Sequence, residues 1–160
     1  MAKFELAIDR LLGHEAGYVN DQTDRGGETN MGISARSYPD EDIKGMTRKR
    51  ASGIYRRDYW DKMLCSRINC QRVAGALFDF GVNAGTPHAV RLMQASVGTT
   101  TDSIMGPVTV GAINEFDDDL LLLTDFSLQR CKYYALIASR RSSQKKFLAG
   151  WIIRAVSMAE

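Results

Sequence analysis

Apolar residues recur at Phe4, Ile8 and Leu11, the i, i+4, i+7 spacing of a helix with one apolar face. Glu15 is the next position on that face. Gly13 and Gly17 stand on either side of it and loosen the helix end. The periodicity then stops. From Tyr18 to Ser34 the chain is polar and glycine-bearing, which predicts turns and a short hairpin. Its tip is expected at Asp24-Arg25-Gly26-Gly27-Glu28-Thr29, because Gly-Gly supplies positive-φ positions. Pro39 with Asp40, Glu41 and Asp42 marks a further loop, so residues 18–46 form one irregular polar lobe.

Helical patterns return after the lobe. Thr47 is placed to cap a helix running to Met63. Residues 69–83 carry Val73, Ala74, Ala76, Leu77, Phe78, Phe80 and Val82 on several faces, and a helix apolar all round belongs in the middle of a domain. Gly85 ends it. Thr86-Pro87 opens another helix to about Val97, a polar loop covers 98–103, and Gly106-Pro107 opens a short helix to about Phe116. Asp117, Asp118 and Asp119 favour the N-terminus of a long helix to about Ser139. Ser142 or Ser143 caps a last helix through Met158. The predicted fold is mainly α: a helical bundle around a central apolar helix, with a small irregular or β-hairpin lobe.

Composition narrows the function classes. The 160 residues are 44% hydrophobic and 25% charged, which suits a single compact domain over residues 1–160. Lys and Arg number 21 against 19 Asp and Glu, a net charge of +2 that supplies no concentrated basic face for nucleic acid. Cys65, Cys70 and Cys131 are odd in number and contain no Cys-x-x-Cys, so reduced thiols are expected. Two histidines make a His-rich metal site implausible. A calcium loop beginning at Asp21 fails, because Thr23 and Arg25 occupy positions that need oxygen ligands. Neither a metal nor another cofactor is expected. No apolar run approaches the roughly 20 residues of a membrane span. Glu5, Asp9 and Arg10 interrupt any signal-peptide core.

The chemistry centres on Glu15. Burial on an apolar stripe favours the neutral carboxyl, and a protonated acid is what glycoside cleavage needs at the leaving oxygen. On periodicity alone, a surface glutamate beyond a frayed helix end is the better reading. In the lobe, Asp24 or Thr29 could hold water or steady a developing cation, or the Asp residues could simply make Asx-turns.

The stretch HEAGYVNDQTDRGGETNMGIS, His14 to Ser34, resembles the signature of glycoside hydrolase family 108, close to EGGYVNDPxDxGGETNxGIT. IYRRDYWDK (54–62), ALFDFGVNAG (76–85) and LMQASVGTTTDSIMGPVT (92–109) resemble later family blocks, and GWIIRAV (150–156) resembles GWxNRV. The family comprises phage endolysin-like and secretion-activator N-acetylmuramidases of lysozyme-like fold. The resemblance implies a hydrolase segment over 1–86 and a peptidoglycan-binding segment over 87–160. It implies Glu15 as catalytic acid with Asp24 and Thr29 in support, and Tyr18, Asn30 and Met31 among the substrate contacts. Departures are Ala16 for Gly, Gln22 for Pro, Met31 for an aromatic, Ser103 for Gly and Ile153 for Asn.

Further candidates come from the residues themselves. Tyr59 could stack on a sugar ring, whereas Tyr55, Trp60 and Trp151 fit the core better. Asp79 and Asn83, one turn apart on the central helix, either line the cleft or cap nearby loops. Arg140, Arg141, Lys145 and Lys146 form a basic patch that suits an anionic wall polymer or merely a solvated helix junction. The expected partner is peptidoglycan. The expected reaction is hydrolysis of its β-1,4 MurNAc–GlcNAc bond, with a lytic transglycosylase or a non-catalytic wall-binding or secretion-helper module as rivals. Synthesis in the cytoplasm and action on the wall would require a membrane pore made by another protein.

Overall fold

The computed structural model describes residues 1–13, 17–20 and 27–157. Helix α1 spans Phe4–Leu12 and buries Phe4, Ala7, Ile8, Leu11 and Leu12, the stripe expected from its spacing. Its entry is tied to the central helix by a reciprocal pair: the Lys3 N–H donates to Gln71 Oε1 at 2.6 Å, and Gln71 Nε2 donates to the Lys3 carbonyl at 3.0 Å.

The lobe is a small antiparallel sheet in the order β1 (Val19–Asn20), β2 (Glu28–Asn30), β3 (Ile33–Ser34). Val19 pairs with Thr29, and Asn30 pairs with Ile33. The expected tip falls largely at residues 24–26, outside the described residues. A second, tighter hairpin, not foreseen, turns at Met31 and Gly32. Both have positive φ, 49° and 75°, the signature of a two-residue hairpin turn. Methionine is an unusual residue for the first of these positions.

Helix α2 spans Arg48–Tyr55, and the Thr47 hydroxyl accepts from the Arg50 N–H at 3.2 Å, as expected of the cap. The predicted continuation to Met63 is not α-helical. Residues 56–60 widen into a π-helical turn in which the Asp61 N–H reaches the Arg56 carbonyl at 2.9 Å. Leu64 then takes a left-handed φ of 49°, which ends the helical path. The wide turn presents Trp60 to the core, where it meets Phe4 and Phe78 edge-on with ring centroids 5.6 and 5.5 Å away, and those two rings meet each other at 5.9 Å. Such pairs contribute about 0.5–1.5 kcal/mol beyond their burial.

Helix α3, Gln71–Ala84, is the buried centre and ends at Gly85 with φ of 92°. Helices α4 (Thr86–Ser96), α5 (Pro107–Asn114), α6 (Asp119–Arg140) and α7 (Leu148–Ser157) follow. Packing runs between α3 and each of α1, α4 and α6, between α4 and α6, and between α6 and α7. The Asp118 carboxylate caps α6, accepting from the N–H groups of Leu120 and Leu121 at 2.8 and 3.1 Å. The last helix starts later than expected: residues 142–147 form a tight 3₁₀ segment before α7 begins. The architecture is mainly α and lysozyme-like. Among the described residues no helix is long and apolar enough to cross a membrane.

Candidate active site

Glu15 and Asp24 lie outside the described residues, so the site is built from the other candidates. Thr29 is the middle residue of β2, the central strand, and its hydroxyl donates to the Gly27 carbonyl at 3.4 Å. Tyr18 is exposed beside the same strand, its hydroxyl donating to Glu28 Oε1 at 3.0 Å. Asn30 is buried; its Nδ2 donates to the carbonyls of Ile43 at 3.0 Å and Lys44 at 3.4 Å, fastening the sheet to the following loop. Met31 is half-buried at the turn, and its carbonyl accepts from the Tyr55 hydroxyl at 2.9 Å. Tyr55 is buried and its ring centroid is 5.8 Å from that of half-buried Tyr59. Thus Thr29 and Asn30 lie in one small sheet, with Tyr18 just before its first strand and Met31 at its turn, and Tyr55 links that turn to Tyr59.

Beside Tyr59, Tyr38 donates its hydroxyl to Asp58 Oδ2 at 3.1 Å. Burial, with hydrogen bonding to Tyr59, raises the Tyr38 pKa far above the ordinary phenol value. The Arg57 guanidinium holds the Asp58 carboxyl below the usual carboxylate range. Glu41 pairs with Arg50 on the same side.

Asp79 and Asn83 belong to a different neighbourhood. Their side chains leave α3 toward α6 and α7. Asp79 Oδ2 accepts from Arg130 Nη2 at 2.7 Å, and its Oδ1 accepts from Arg154 Nε at 2.9 Å. Asn83 Oδ1 accepts from the Tyr134 hydroxyl at 2.7 Å. Arg130 is fully buried, with its guanidinium 5.2 Å from the Phe80 ring centroid and 5.9 Å from that of Phe126. Its Nε and Nη1 find no hydrogen-bond acceptor among the described residues. The aromatic faces partly replace the missing acceptors through cation–π attraction.

Residues 8–85 match the family described as glycosyl hydrolase 108, and residues 88–156 match a predicted peptidoglycan domain. The chain belongs to glycosyl hydrolase family 108. It is therefore a glycoside hydrolase whose second segment makes peptidoglycan the polymer it meets. The structure is similar to that of SagA from Brucella abortus, at a TM-score of 0.82 and 26% identity, over 98% of this chain and 91% of that one. Among curated proteins none matches.

Placed on the two family segments, Asp79 lies in the first, while Arg130 and Arg154 lie in the second. The buried ion cluster is therefore a joint between them. Sequence reasoning missed both arginines. A signal existed: Arg130 sits on the buried stripe of α6 with Leu123, Phe126, Ser127 and Tyr134, and Asp79 sits on an equally buried stripe of α3. Opposite charges on two apolar stripes demand each other.

Gln94 was also missed. It is buried on α4 and shares its Nε2 hydrogens among Asp102 Oδ1 (2.7 Å), the Ile104 carbonyl (3.1 Å) and Thr109 Oγ1 (3.2 Å). Its Oε1 accepts from the Ser103 N–H at 3.0 Å. This holds Ser103 at φ of 67°, the left-handed conformation that suits the glycine the family pattern has there.

Proposed function

We propose that this family 108 protein is an N-acetylmuramidase that hydrolyses the β-1,4 bond between N-acetylmuramic acid and N-acetylglucosamine, with Glu15 as the general acid. The observation that carries the proposal is the family match over residues 8–85, a span that includes Glu15, Asp24 and Thr29. Glu15 would protonate the glycosidic oxygen, and Asp24 or Thr29 would position water or stabilise the oxocarbenium-like transition state. Tyr18, Asn30, Met31 and Tyr59 would contact the sugars, while Asp79 and Asn83, engaged by Arg130, Arg154 and Tyr134, would act at the joint between the two segments rather than on the sugars.

The proposal includes one compact unit over residues 1–160. The ion pairs of Asp79 with Arg130 and Arg154 support it, since they bridge the two matched segments. It also includes synthesis in the cytoplasm and action on the wall, with passage through a membrane pore supplied by another protein.

The test uses purified sacculi and mass spectrometry of the released fragments. Wild type is expected to release muropeptides with reducing ends, and Glu15→Gln to release none while melting at nearly the wild-type temperature. Anhydro-muramic products, lighter by one water, would instead identify a lytic transglycosylase. Binding of sacculi without release by wild type would identify a wall-binding module. Full release by Glu15→Gln would overturn the role of the acid.

A further inference from the structure

A groove of about 640 Å³ runs between α1, α3 and α7. That volume lies within the range of about 300–1,000 Å³ usual for small-ligand sites. Leu6, Leu11 and Ile153 give it apolar walls. Leu6 and Ile153 are 57% and 66% exposed, large aliphatic side chains left in water at a concave place. Two helical glycines, Gly75 on α3 and Gly150 on α7, border the same groove. A Cβ at either position would meet nothing within 4 Å, and neither has a positive φ. Packing and backbone conformation therefore do not require glycine there, although alanine is the better helix former. Their effect is to keep the groove wide.

The charges point one way. Arg10, Arg72 and Arg154 line the groove, and among the described lining residues Asp79 is the sole carboxylate. Asp79 already faces two guanidinium groups, those of Arg130 and Arg154. The fitting occupant is an anion that also carries small apolar groups. A bare glycan offers hydroxyls and flat ring faces that favour exposed aromatics. Phe78, the sole aromatic among the described lining residues, is buried and presents no such face. A peptidoglycan stem peptide carries both alanine methyls and free carboxylates.

We propose that this groove holds the acidic stem peptide of peptidoglycan, its carboxylates toward Arg10, Arg72 and Arg154 and its methyls on Leu6, Leu11 and Ile153. The inference rests on the wall-hydrolase reading and deepens it. Helix α1, which forms one wall of the groove, runs on in sequence toward Glu15.

Titration calorimetry on the full chain with L-Ala-γ-D-Glu-meso-diaminopimelate tests this. The same peptide with its carboxylates amidated is the charge control. The acidic peptide is expected to bind saturably, and the amidated one about tenfold more weakly or not at all. Gly75→Leu, which fills the groove, and Arg72→Glu, which reverses an exposed charge, are each expected to weaken binding about tenfold. Arg72→Lys should retain most of it. Gly111→Ala, a helical glycine outside the groove with open space at its Cβ, should bind as wild type does.

A thermal melt checks that Gly75→Leu folds; should it not, Arg72→Glu carries the test alone. Absence of saturable binding, equal affinity for the amidated peptide, or wild-type binding by the folded variants would overturn the proposal. So would binding of anionic phospholipid vesicles that Gly75→Leu abolishes while the peptide stays inert. Peptide binding needs no bond cleavage, so the two readings fail separately. Wall release that survives in Glu15→Gln removes the acid but leaves the groove. Peptide affinity indifferent to Gly75→Leu and Arg72→Glu removes the groove but leaves the acid.

Discussion

Two charged clusters of this protein use the same chemistry in different solvents. At the joint between the two family segments, Asp79 receives Arg130 and Arg154, with the Arg130 side chain wholly buried and that of Asp79 only 10% exposed. Beside the lobe, Asp58 receives Arg57 and Tyr38, Glu41 receives Arg50, and the arginines of both pairs are more than half exposed. Water competes for every charge in the second cluster, but in the first it reaches Arg154 and hardly touches Arg130 or Asp79. The lobe cluster is worth little, because exposed ion pairs contribute about 0–1 kcal/mol. The joint is costly to form, and costlier to break by halves, because the remaining charge stays buried without a partner.

The sharpest break in that contrast is Asp79→Asn. Removing the carboxylate leaves Arg130 buried against Phe80 and Phe126 without a counter-charge. The expected loss is about 3–5 kcal/mol, a fall in melting temperature of roughly 10 °C, read by calorimetry. A loss below about 1 kcal/mol would place the joint in the same class as the surface pairs. Arg154→Met should cost less, about 1–2 kcal/mol by denaturant midpoint, because Arg154 is 36% exposed and Arg130 still serves Asp79. If it cost as much as Asp79→Asn, Arg154 rather than Arg130 would be the principal partner.

The smallest effect belongs to Asp58→Asn, at about 0.5–1 kcal/mol. Its pKa is depressed, chiefly by the hydrogen bond from Arg57. Its stabilising contribution is therefore complete above the unfolded carboxylate value, near pH 4, and lost as pH falls through the lower folded value. Urea midpoints of wild type and Asp58→Asn should differ at pH 7 and converge toward pH 2–3. A difference that persists at the low end would mean that the Tyr38 contact, not the ion pair, does the stabilising.

Legibility in the sequence followed the range of the interaction. The stripe Phe4, Ile8, Leu11 and the cap at Thr47 depend on neighbours a turn away, and both stand where the spacing put them. The stop at Gly85 and the α6 cap at Asp118 are equally local. The helix predicted through Met63 failed after Tyr55 because Trp60 packs into one cluster with Phe4 and Phe78, residues far from it in the chain. The turn at Met31–Gly32 escaped because methionine carries no turn signal; the strands on either side and the Tyr55 hydroxyl hold it. Of the candidate site, the sequence singled out Asp79 and Asn83 as polar groups in need of partners, but it named no partners.

By itself the sequence determined a mainly helical chain, the position of its central buried helix, a polar lobe after the first helix, and the glycoside hydrolase motif that runs through that lobe. These follow from spacing, caps and a continuous stretch of residue types, all of which act within a few positions. Only the tertiary structure decided that Asp79 meets Arg130 and Arg154, 51 and 75 positions away, and that Gln94 organises the loop at Ser103. It alone shows that Gly75 and Gly150 border one groove. A buried charge or a missing side chain announces a need, but which distant group meets that need is fixed only when the helices pack.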